Sequence, residues 1–459
     1  MNTTTQPHEL PPGPLLAYYG DDFTGSTDVM EAFTSAGVAT VLFLKTPSLA
    51  CVQRFAHMRC IGLAGTARGH TPAWMGEHLP QAFSSLTAFG APVLQYKVCS
   101  TFDSSAQRGS IGQAIDLGVK HSAGLWSPII VGVPRLGRYQ AFGNLFAAVG
   151  PQVHRLDRHP TMSRHPVTPM GESDLRLHLG PQTGRRVELI NLVTLKNGQG
   201  DAALQAAMGD DTPVVLLDVM DEETLAEAGR LVWEHRGPGV FSASSSGLEY
   251  ALVAHWRQSG LLPEAPALPK TTPVAVIAAV SGSCSPVTAA QIDWASRHGF
   301  VTERLNVAAV LEADRRAAEV EKVVSVAVSA LRSGQSPLVY SAAGPDDPAV
   351  TGFAAHAQAA GLSLAEANEE VGQALAETMR QVVLRSQVRR LAIAGGDSSG
   401  AVAGALDITA LTLSTQLVPG APLCRVWSDT ARMDGMEVVL KGGQMGQADF
   451  FGRVLNGTL

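Results

Sequence analysis

The stretch LLAYYGDDFTGSTDVMEAFTSAGVATVLFL, residues 15–44, decides the fold class. Leu15 to Tyr19 is a short apolar run of strand length, and Gly20-Asp21-Asp22 is a turn carrying two acids. The apolar spacing from Ser26 to Ala36 predicts a helix that Gly37 stops, and Val38 to Leu44 is a second apolar run. Strand, turn, helix and strand in that order make a βαβ unit, the building block of a parallel sheet. Open sheets of this kind bind their ligands in the loops at the carboxyl ends of the strands, so the turn at Asp21 and Asp22 is the first place to look for chemistry.

Working outward, apolar runs at Val93 to Tyr96, Pro128 to Val133, Arg186 to Leu192 and Val214 to Leu217 continue the alternation with helical stretches between them. The rhythm breaks at Leu261 to Pro273, LLPEAPALPKTTP, where four prolines forbid a continuous helix or a central strand. It restarts with a strand at Val274 to Val280, a small-residue turn and a helix ended by Gly299, followed by strands at Ser336 to Tyr340 and Arg390 to Ala394. The expected fold is therefore two α/β domains, each with a largely parallel sheet flanked by helices, over residues 14–262 and 272–456 with a linker at 263–271. Residues 1–13 are polar and proline-rich and read as a loose leader.

Composition narrows the function classes. The 459 residues hold 34 Lys and Arg against 41 Asp and Glu, so no positive excess is available to neutralise a nucleic-acid backbone. The apolar content of 45% and only 16% charged residues exclude a disordered acidic chain, and the 46 glycines point to many tight backbone turns. The five cysteines are odd in number and widely spaced, which suits a reducing cytoplasm and not a disulfide scaffold. No apolar run approaches the roughly 20 residues that span a bilayer, so no membrane partner is expected. The small-residue helix at Ala354 to Ala360 would tolerate a second subunit as readily as a core, so a homodimer is compatible with the sequence.

Several strand-end turns carry candidate chemistry. At Gly20-Asp21-Asp22-Phe23-Thr24-Gly25, one carboxylate can cap a helix and the other can face a crevice, or both can be a solvated turn. The segment Lys97-Val98-Cys99-Ser100-Thr101-Phe102-Asp103 offers a cation, hydroxyls and a carboxylate, a set suited to a polyhydroxylated anion. Lys97 would take a carboxylate, and Ser100, Thr101 and Asp103 would take hydroxyls. Arg135 and Arg138 follow another strand in a glycine-containing stretch, and either could grip a carboxylate or phosphate as a fork.

In the second half, Ser281-Gly282-Ser283-Cys284-Ser285 and Gly395-Gly396-Asp397-Ser398-Ser399-Gly400 each link a strand to a helix. Lys441-Gly442-Gly443-Gln444-Met445-Gly446 makes a third glycine-rich turn. Such turns point N–H groups and a helix amino terminus at one spot, which favours phosphate; each alone is also an ordinary α/β loop. The dipeptide Gly-Lys never occurs, so there is no Walker A loop, and Asp397 breaks the G-x-G-x-x-G spacing. Gly396 to Gly400 matches the G-x-S-x-G nucleophile elbow, but the triad histidine must follow the serine and the last histidine is His356. No close histidine pair or H-E-x-x-H supports a zinc site, and His57, His70, His78, His154, His159 and His165 are scattered.

Taken in order, these motifs resemble those of the four-carbon acid sugar kinase family over nearly the full length, from about Leu15 to Phe451. The resemblance rests on Asp21-Asp22-Phe23-Thr24-Gly25, Ser100-Thr101-Phe102-Asp103-Ser104 with Gly109-Ser110-Ile111-Gly112, and Pro169-Met170 with Glu172-Ser173. It continues in Gly282-Ser283-Cys284-Ser285 with Thr288 and Gln291, Gly395 to Gly400, and Lys441 to Gly446. Two positions depart from it: Asp397-Ser398 stands where the family usually has Glu-Thr, and Met445 where it has an aromatic. The resemblance implies an ATP-dependent kinase that phosphorylates the terminal hydroxyl of a four-carbon or closely related acid sugar, with Mg²⁺ as the accompanying ion. Asp21 or Asp22 would orient or deprotonate the hydroxyl, and Lys97 with Arg135 or Arg138 would hold the carboxylate. Ser281, Gly282, Ser283, Ser285, Gly395, Gly396, Ser398, Gly442, Gly443 and Gly446 would cradle the nucleotide, with Asp397 at Mg²⁺ or a ribose. The competing reading is a non-catalytic protein that senses a sugar acid or a nucleotide.

Overall fold

The first strand, β1 (Leu16–Gly20), is buried along its whole length, and its two tyrosines are divided between the two faces of a sheet by the two-residue period of a strand. Tyr19 stacks on Tyr96 and meets Phe83 edge-on from the helix Pro72–Thr87. Tyr18 points the other way, and its hydroxyl donates to the Ser26 carbonyl of the helix Phe23–Ser35 at 2.8 Å. Helices on both faces explain why the run is continuously apolar instead of alternating.

The computed structural model describes residues 9–164, 168–209, 211–265, 267–268 and 270–457, without the side chains of Leu49, Ala50 and Asp397. Most of the expected leader, His165, and Pro266 and Pro269 of the expected linker lie outside the described residues. Two units are present, one of residues 1–41 and 46–266, the other of 42–45 and 267–459. No described helix is long and apolar enough to cross a membrane.

In the first unit, β3 (Cys60–Ala64) and β4 (Val93–Lys97) lie parallel to β1 on its two sides, whereas β2 (Thr40–Phe43) has its first two residues in this unit and its last two in the other. A parallel trio follows: β5 (Ser127–Ile129), β9 (Val187–Ile190) and β10 (Val214–Leu217), with β10 in the middle. Between β5 and β9 the chain makes an antiparallel meander, β6 (Arg138–Ala141), β7 (Asn144–Val149) and β8 (Gln152–Arg155). The unit's last strand, β11 (Val240–Ser242), pairs in parallel with β4. The helix Gly247–Gln258 then packs on the helix Phe23–Ser35 through Trp256 against Phe33, with ring centroids 5.8 Å apart.

The second unit contains β12 (Ala278–Ser281), β13 (Val301–Arg304), β14 (Pro337–Tyr340), β15 (Arg390–Ala394), β16 (Ala410–Val418), β17 (Ala421–Trp427) and β18 (Glu437–Lys441). Their order is β16-β17-β18-β15-β12-β14-β13, with the β18 to β13 neighbours parallel and β16, β17 and β18 antiparallel to one another in turn. The connection from β12 leads towards β14 and β13, whereas the one from β14 to β15 leads the opposite way. Right-handed crossovers running in opposite directions put their helices on opposite faces and open a crevice at the carboxyl ends of β12 and β15. The core under the helices Pro286–Arg297 and Phe450–Asn456 includes Ile292, Ala295, Phe300, Phe450 and Phe451 over Ala279, Ala392 and Val439.

Both units are thus α/β with largely parallel sheets, as the sequence predicts, and the differences are local. The first helix starts at Phe23, three residues before the apolar periodicity shows it, because Asp22 caps it: Asp22 Oδ1 accepts from Gly25 N at 2.8 Å. The run Val274 to Val280 becomes a strand only from Ala278, and Pro128 to Val133 is a strand only as part of Ser127–Ile129. The sequence reading omits β3, β11 and the β6 to β8 meander. Strands of three to six residues carry too few periodic positions to stand out, and of the meander only β7 alternates, between buried and partly exposed side chains.

Candidate active site

The ends of β1, β3 and β4 are level: Gly20 is opposite Ala64 on one side and Lys97 on the other. Parallel pairing in that register makes the three following loops start side by side. The backbone seals them, with Asp21 N donating to the Lys97 carbonyl and Arg68 N donating to the Asp21 carbonyl, each at 3.0 Å. Arg68, from the loop after β3, grips Asp21 with both arms, Nε to Oδ2 at 3.0 Å and Nη2 to Oδ1 at 2.6 Å, and reaches Asp22 Oδ1 at 3.0 Å. Fork-to-carboxylate pairing of this kind is both strong and directional.

The two acids differ in state. The Asp21 side chain is only 5% exposed, and burial pushes its carboxyl up to about 6 although Arg68 pulls the other way. Asp22 is a helix cap, with Oδ2 also accepting from Thr24 Oγ1 at 2.8 Å. Lys97 is buried beside them, its Nζ 3.4 Å from Asp28 Oδ2. Burial opposes its charge, but Asp28, Asp21 and Asp22 outweigh burial and raise its pKa. Behind it Glu249, fully buried on the helix Gly247–Gln258, is pushed up to about 8 by burial, with Lys97 opposing.

The loop after β4 closes on the same place. Thr101 Oγ1 is within hydrogen-bonding distance of Asp103 Oδ1 at 2.7 Å and of Cys99 Sγ at 2.9 Å, and Asp103 and Cys99 both lie in the field of Arg68. Phe102 takes a positive φ of 54° there, and Ser104 pairs with His178 Nε2 at 2.8 Å. His178 is buried, and desolvation drives its ring down to about 4, so it is neutral at ordinary pH. Gln182 Nε2 donates to Ser104 at 3.1 Å while its Oε1 accepts from Ile111 N at 2.9 Å, which ties the loop to the helix Ile111–Gly118.

The second unit repeats the geometry with glycines. Ser281, Ala394 and Lys441 are level across β12, β15 and β18. Gly282 N donates to the Ala394 carbonyl and Gly395 N to the Lys441 carbonyl, each at 2.9 Å. A Cβ on Gly282 would fall 2.0 Å from Ser398 Oγ, and one on Gly443 would fall 2.6 Å from Ser283 Oγ, so the turns touch where no side chain fits. Gly395 has φ +120°, a conformation other residues rarely adopt.

What these turns leave open suits an anion. The helix Gly396–Ala405 begins on Gly395, which has no side chain to cap it, and a Cβ on Gly396 would meet nothing within 4 Å. Its first N–H groups and its positive end are therefore available. Ser285 caps the neighbouring helix Pro286–Arg297, accepting from Thr288 N at 3.1 Å, and its hydroxyl also donates to the Gly443 carbonyl. Gln291 Oε1 is buried without a hydrogen-bond partner, beside the turn its Nε2 holds through the Met445 carbonyl at 2.9 Å.

Comparison with known proteins reads the two units in the same terms. Residues 16–252 match a family model described as a sugar-binding N-terminal domain, and residues 278–451 one described as a nucleotide-binding C-terminal domain. A 3-oxo-isoapionate kinase of Paraburkholderia graminis is 61% identical over 98% of this chain and 96% of its own length. The chain belongs to the four-carbon acid sugar kinase family. A 3-oxo-tetronate kinase of Methylobacterium radiotolerans is 30% identical over 96% of this chain and 98% of its own. A crystal structure of a Salmonella typhimurium protein superposes with a TM-score of 0.77 at 25% identity, covering 97% of this chain and 99% of that one.

As a kinase of this family, the chain has a nucleotide-binding unit that implies ATP use. Of the candidates read from its sequence, Asp21, Asp22, Lys97, Thr101 and Asp103 come together around Arg68, with Ser100 half-buried in the same loop. Arg135 lies over the Tyr250 ring, 4.9 Å from its centroid. Arg138 is turned to the backbone: its Nη1 donates to the carbonyls of Leu136 at 3.2 Å, Gly137 at 3.3 Å and Ala148 at 3.4 Å, which makes it a brace of the meander. Ser281, Gly282, Ser283, Ser285, Gly395, Ser398, Gly442 and Gly443 converge, and the side chain of Asp397 lies outside the described residues. Gly446 holds φ +83°, with its Cβ position 3.3 Å from Gln291 Nε2. Sequence reading missed Arg68, whose only signal is the short run Cys60 to Ala64 before Gly65-Thr66-Ala67-Arg68-Gly69, and it missed the burial of Lys441.

Proposed function

We propose that this kinase transfers the terminal phosphoryl group of ATP to the terminal hydroxyl of a small 3-oxo acid sugar, with 3-oxo-isoapionate the first substrate to test. The observation that carries the reading is the acid pair after β1. Asp21 is held in a buried place at about 6, where a carboxylate can accept a proton near neutral pH, and Arg68 aligns it. Asp21 is the base, and Asp22 keeps the helix end and the Arg68 fork in place. Lys97 and Arg68 receive the carboxylate of the sugar acid, and Ser100, Thr101 and Asp103 bind its hydroxyls. The 61% identity to a 3-oxo-isoapionate kinase supports the choice of substrate.

The sugar-binding part covers residues 14–262 and the nucleotide-binding part 272–456, joined by 263–271. The glycine turns, with Ser283, Ser285 and Ser398, hold the phosphates through backbone N–H groups and hydroxyls. Bound MgATP supplies the phosphoryl group and the cation that offsets its charge. Mg²⁺ needs no cage of protein ligands, being held by phosphate oxygens and water with one or two carboxylates, and Asp397 is the candidate carboxylate. A sensing protein would have no need to keep an acid buried at a cost to stability, which favours catalysis over the binding-only alternative.

The test is a coupled ADP-release assay over 3-oxo-isoapionate, 3-oxo-tetronate, threonate and erythronate. Release is expected with a 3-oxo acid and strongest with 3-oxo-isoapionate. No release with any member, from protein that binds MgADP, would reject the kinase reading in favour of sensing.

A further inference from the structure

We propose that Lys441, which does not touch solvent, is the fixed positive charge beneath the phosphate cradle, acting on bound nucleotide through the Gly443 peptide. The inference rests on the nucleotide-binding role argued above and goes beyond it in assigning the charge and a proton linkage.

Lys441 ends β18 and is 0% exposed. A buried ammonium is ordinarily paired with a carboxylate, because leaving it unpaired in a low-dielectric interior is costly. Here every hydrogen-bond acceptor among the described residues is neutral: Thr288 Oγ1 at 3.0 Å, the Gly442 carbonyl at 3.0 Å and the Gly443 carbonyl at 3.4 Å. Phe450 offers its ring face, 5.5 Å from Nζ to centroid. Among the described residues no carboxylate of the adjoining strand β15 or of the helices Pro286–Arg297, Gly396–Ala405 and Phe450–Asn456 faces it, the side chain of Asp397 lying outside them, and burial alone lowers its pKa to about 8.

Three side chains determine where the turn points. Lys441, Ser285 and Thr288 all donate to the Gly443 carbonyl. In a planar trans peptide the N–H is opposed to the C=O, so pinning that carbonyl inward turns the Gln444 N–H outward, away from the lysine. The turn is therefore a polarised layer with the cation on one side and a donor on the other. A phosphate received by the N–H groups of the three turns would lie across that layer from a buried charge, where screening is weak. The missing counter-ion of Lys441 is, on this account, the polyphosphate.

Two consequences separate this from a merely structural lysine. Anion binding must raise the pKa of Lys441, so MgADP binding at pH 8 takes up roughly half a proton, since a group at about 8 is half charged there. Calorimetry of MgADP binding to the full chain, in two buffers of different ionisation heat, reads this directly. Lys441→Met should abolish the uptake and weaken MgADP roughly 30-fold or more, and leave adenosine binding and the KM for the acid sugar unchanged. Lys441→Arg should restore most of the affinity without proton uptake.

Absence of proton uptake in the unmutated protein would overturn the proposal, as would Lys441→Met binding MgADP within about twofold of it. Equal weakening of adenosine and MgADP would also overturn it, by showing that the lysine only holds the fold. The uptake measurement needs no variant, so the proposal stays testable if Lys441→Met does not fold. An unmutated chain that binds no nucleotide would remove the kinase reading itself.

Discussion

Replacing Asp21 with asparagine should make the protein more stable and nearly inactive. The ionised carboxylate is held in a buried place where its pKa is about 6, against 3.8 for the free side chain. An acid with a raised native pKa binds more protons folded than unfolded, so it lowers stability as pH rises from the unfolded value through the folded one, and the full cost is present above both. The difference corresponds to about 3 kcal/mol at pH 8 and roughly half of that at pH 5. Asparagine is isosteric with the neutral acid and carries no such cost, and Arg68 keeps Asp22 as a partner. The melting temperature of the transition that reports the first unit should rise at pH 8 by roughly 6 °C, with a smaller gain at pH 5. Turnover should fall on the order of 10²-fold or more while nucleotide binding is retained. Differential scanning calorimetry at the two pH values, beside the ADP-release assay, measures both effects. A variant less stable than the parent at pH 8, or a gain that does not shrink towards pH 5, would refute the reasoning about burial. Unchanged turnover would remove Asp21 from the chemistry.

Other perturbations follow from the same geometry. Arg68→Gln removes the charge that holds the Asp21 carboxyl down, so the acidic limb of the kcat/KM profile against pH should move to higher pH, with maximal turnover also reduced. Gly282→Ala places a Cβ 2.0 Å from Ser398 Oγ and pushes two phosphate turns apart. The KM for ATP should rise while the KM for the acid sugar does not, as initial rates at varied concentrations of each will show. Ser285→Ala removes a helix cap and one of the pins on the Gly443 carbonyl, at a cost of about 1 kcal/mol or more in thermal unfolding of the second unit. Asp22→Asn retains a good cap, so it should cost little stability; a stability loss as large as that of Asp22→Ala would show that the charge, and not the cap, holds the helix end.

Much of the candidate site was legible along the chain. Asp21, Asp22, Lys97, Thr101 and Asp103 stand just after apolar runs, and the strand-end rule picks them out from their place in the linear order alone. Arg68 was not legible. Its loop follows a five-residue strand with no distinctive pattern, and it matters only because β3 lies beside β1 in register. Arg138 illustrates a second limit: the sequence shows an arginine beside a glycine, and only the fold shows that its Nη1 donates to the backbone of the meander it begins while its buried Nε has no hydrogen-bond partner.

The linear order of residues determined the α/β class, the break near the prolines, and which turns hold acids and glycines, because apolar periodicity and chain-breaking residues act over a few neighbours. The tertiary structure alone decided which turns meet. Ser281, Ala394 and Lys441 are far apart in the chain, and parallel pairing in one register sets them side by side. It also decided which charges are buried. Asp21 and Asp22 are adjacent and chemically identical, and only the packing around them makes one a carboxyl near 6 and the other a helix cap. Desolvation depends on everything that surrounds a group, and a sequence lists only what precedes and follows it.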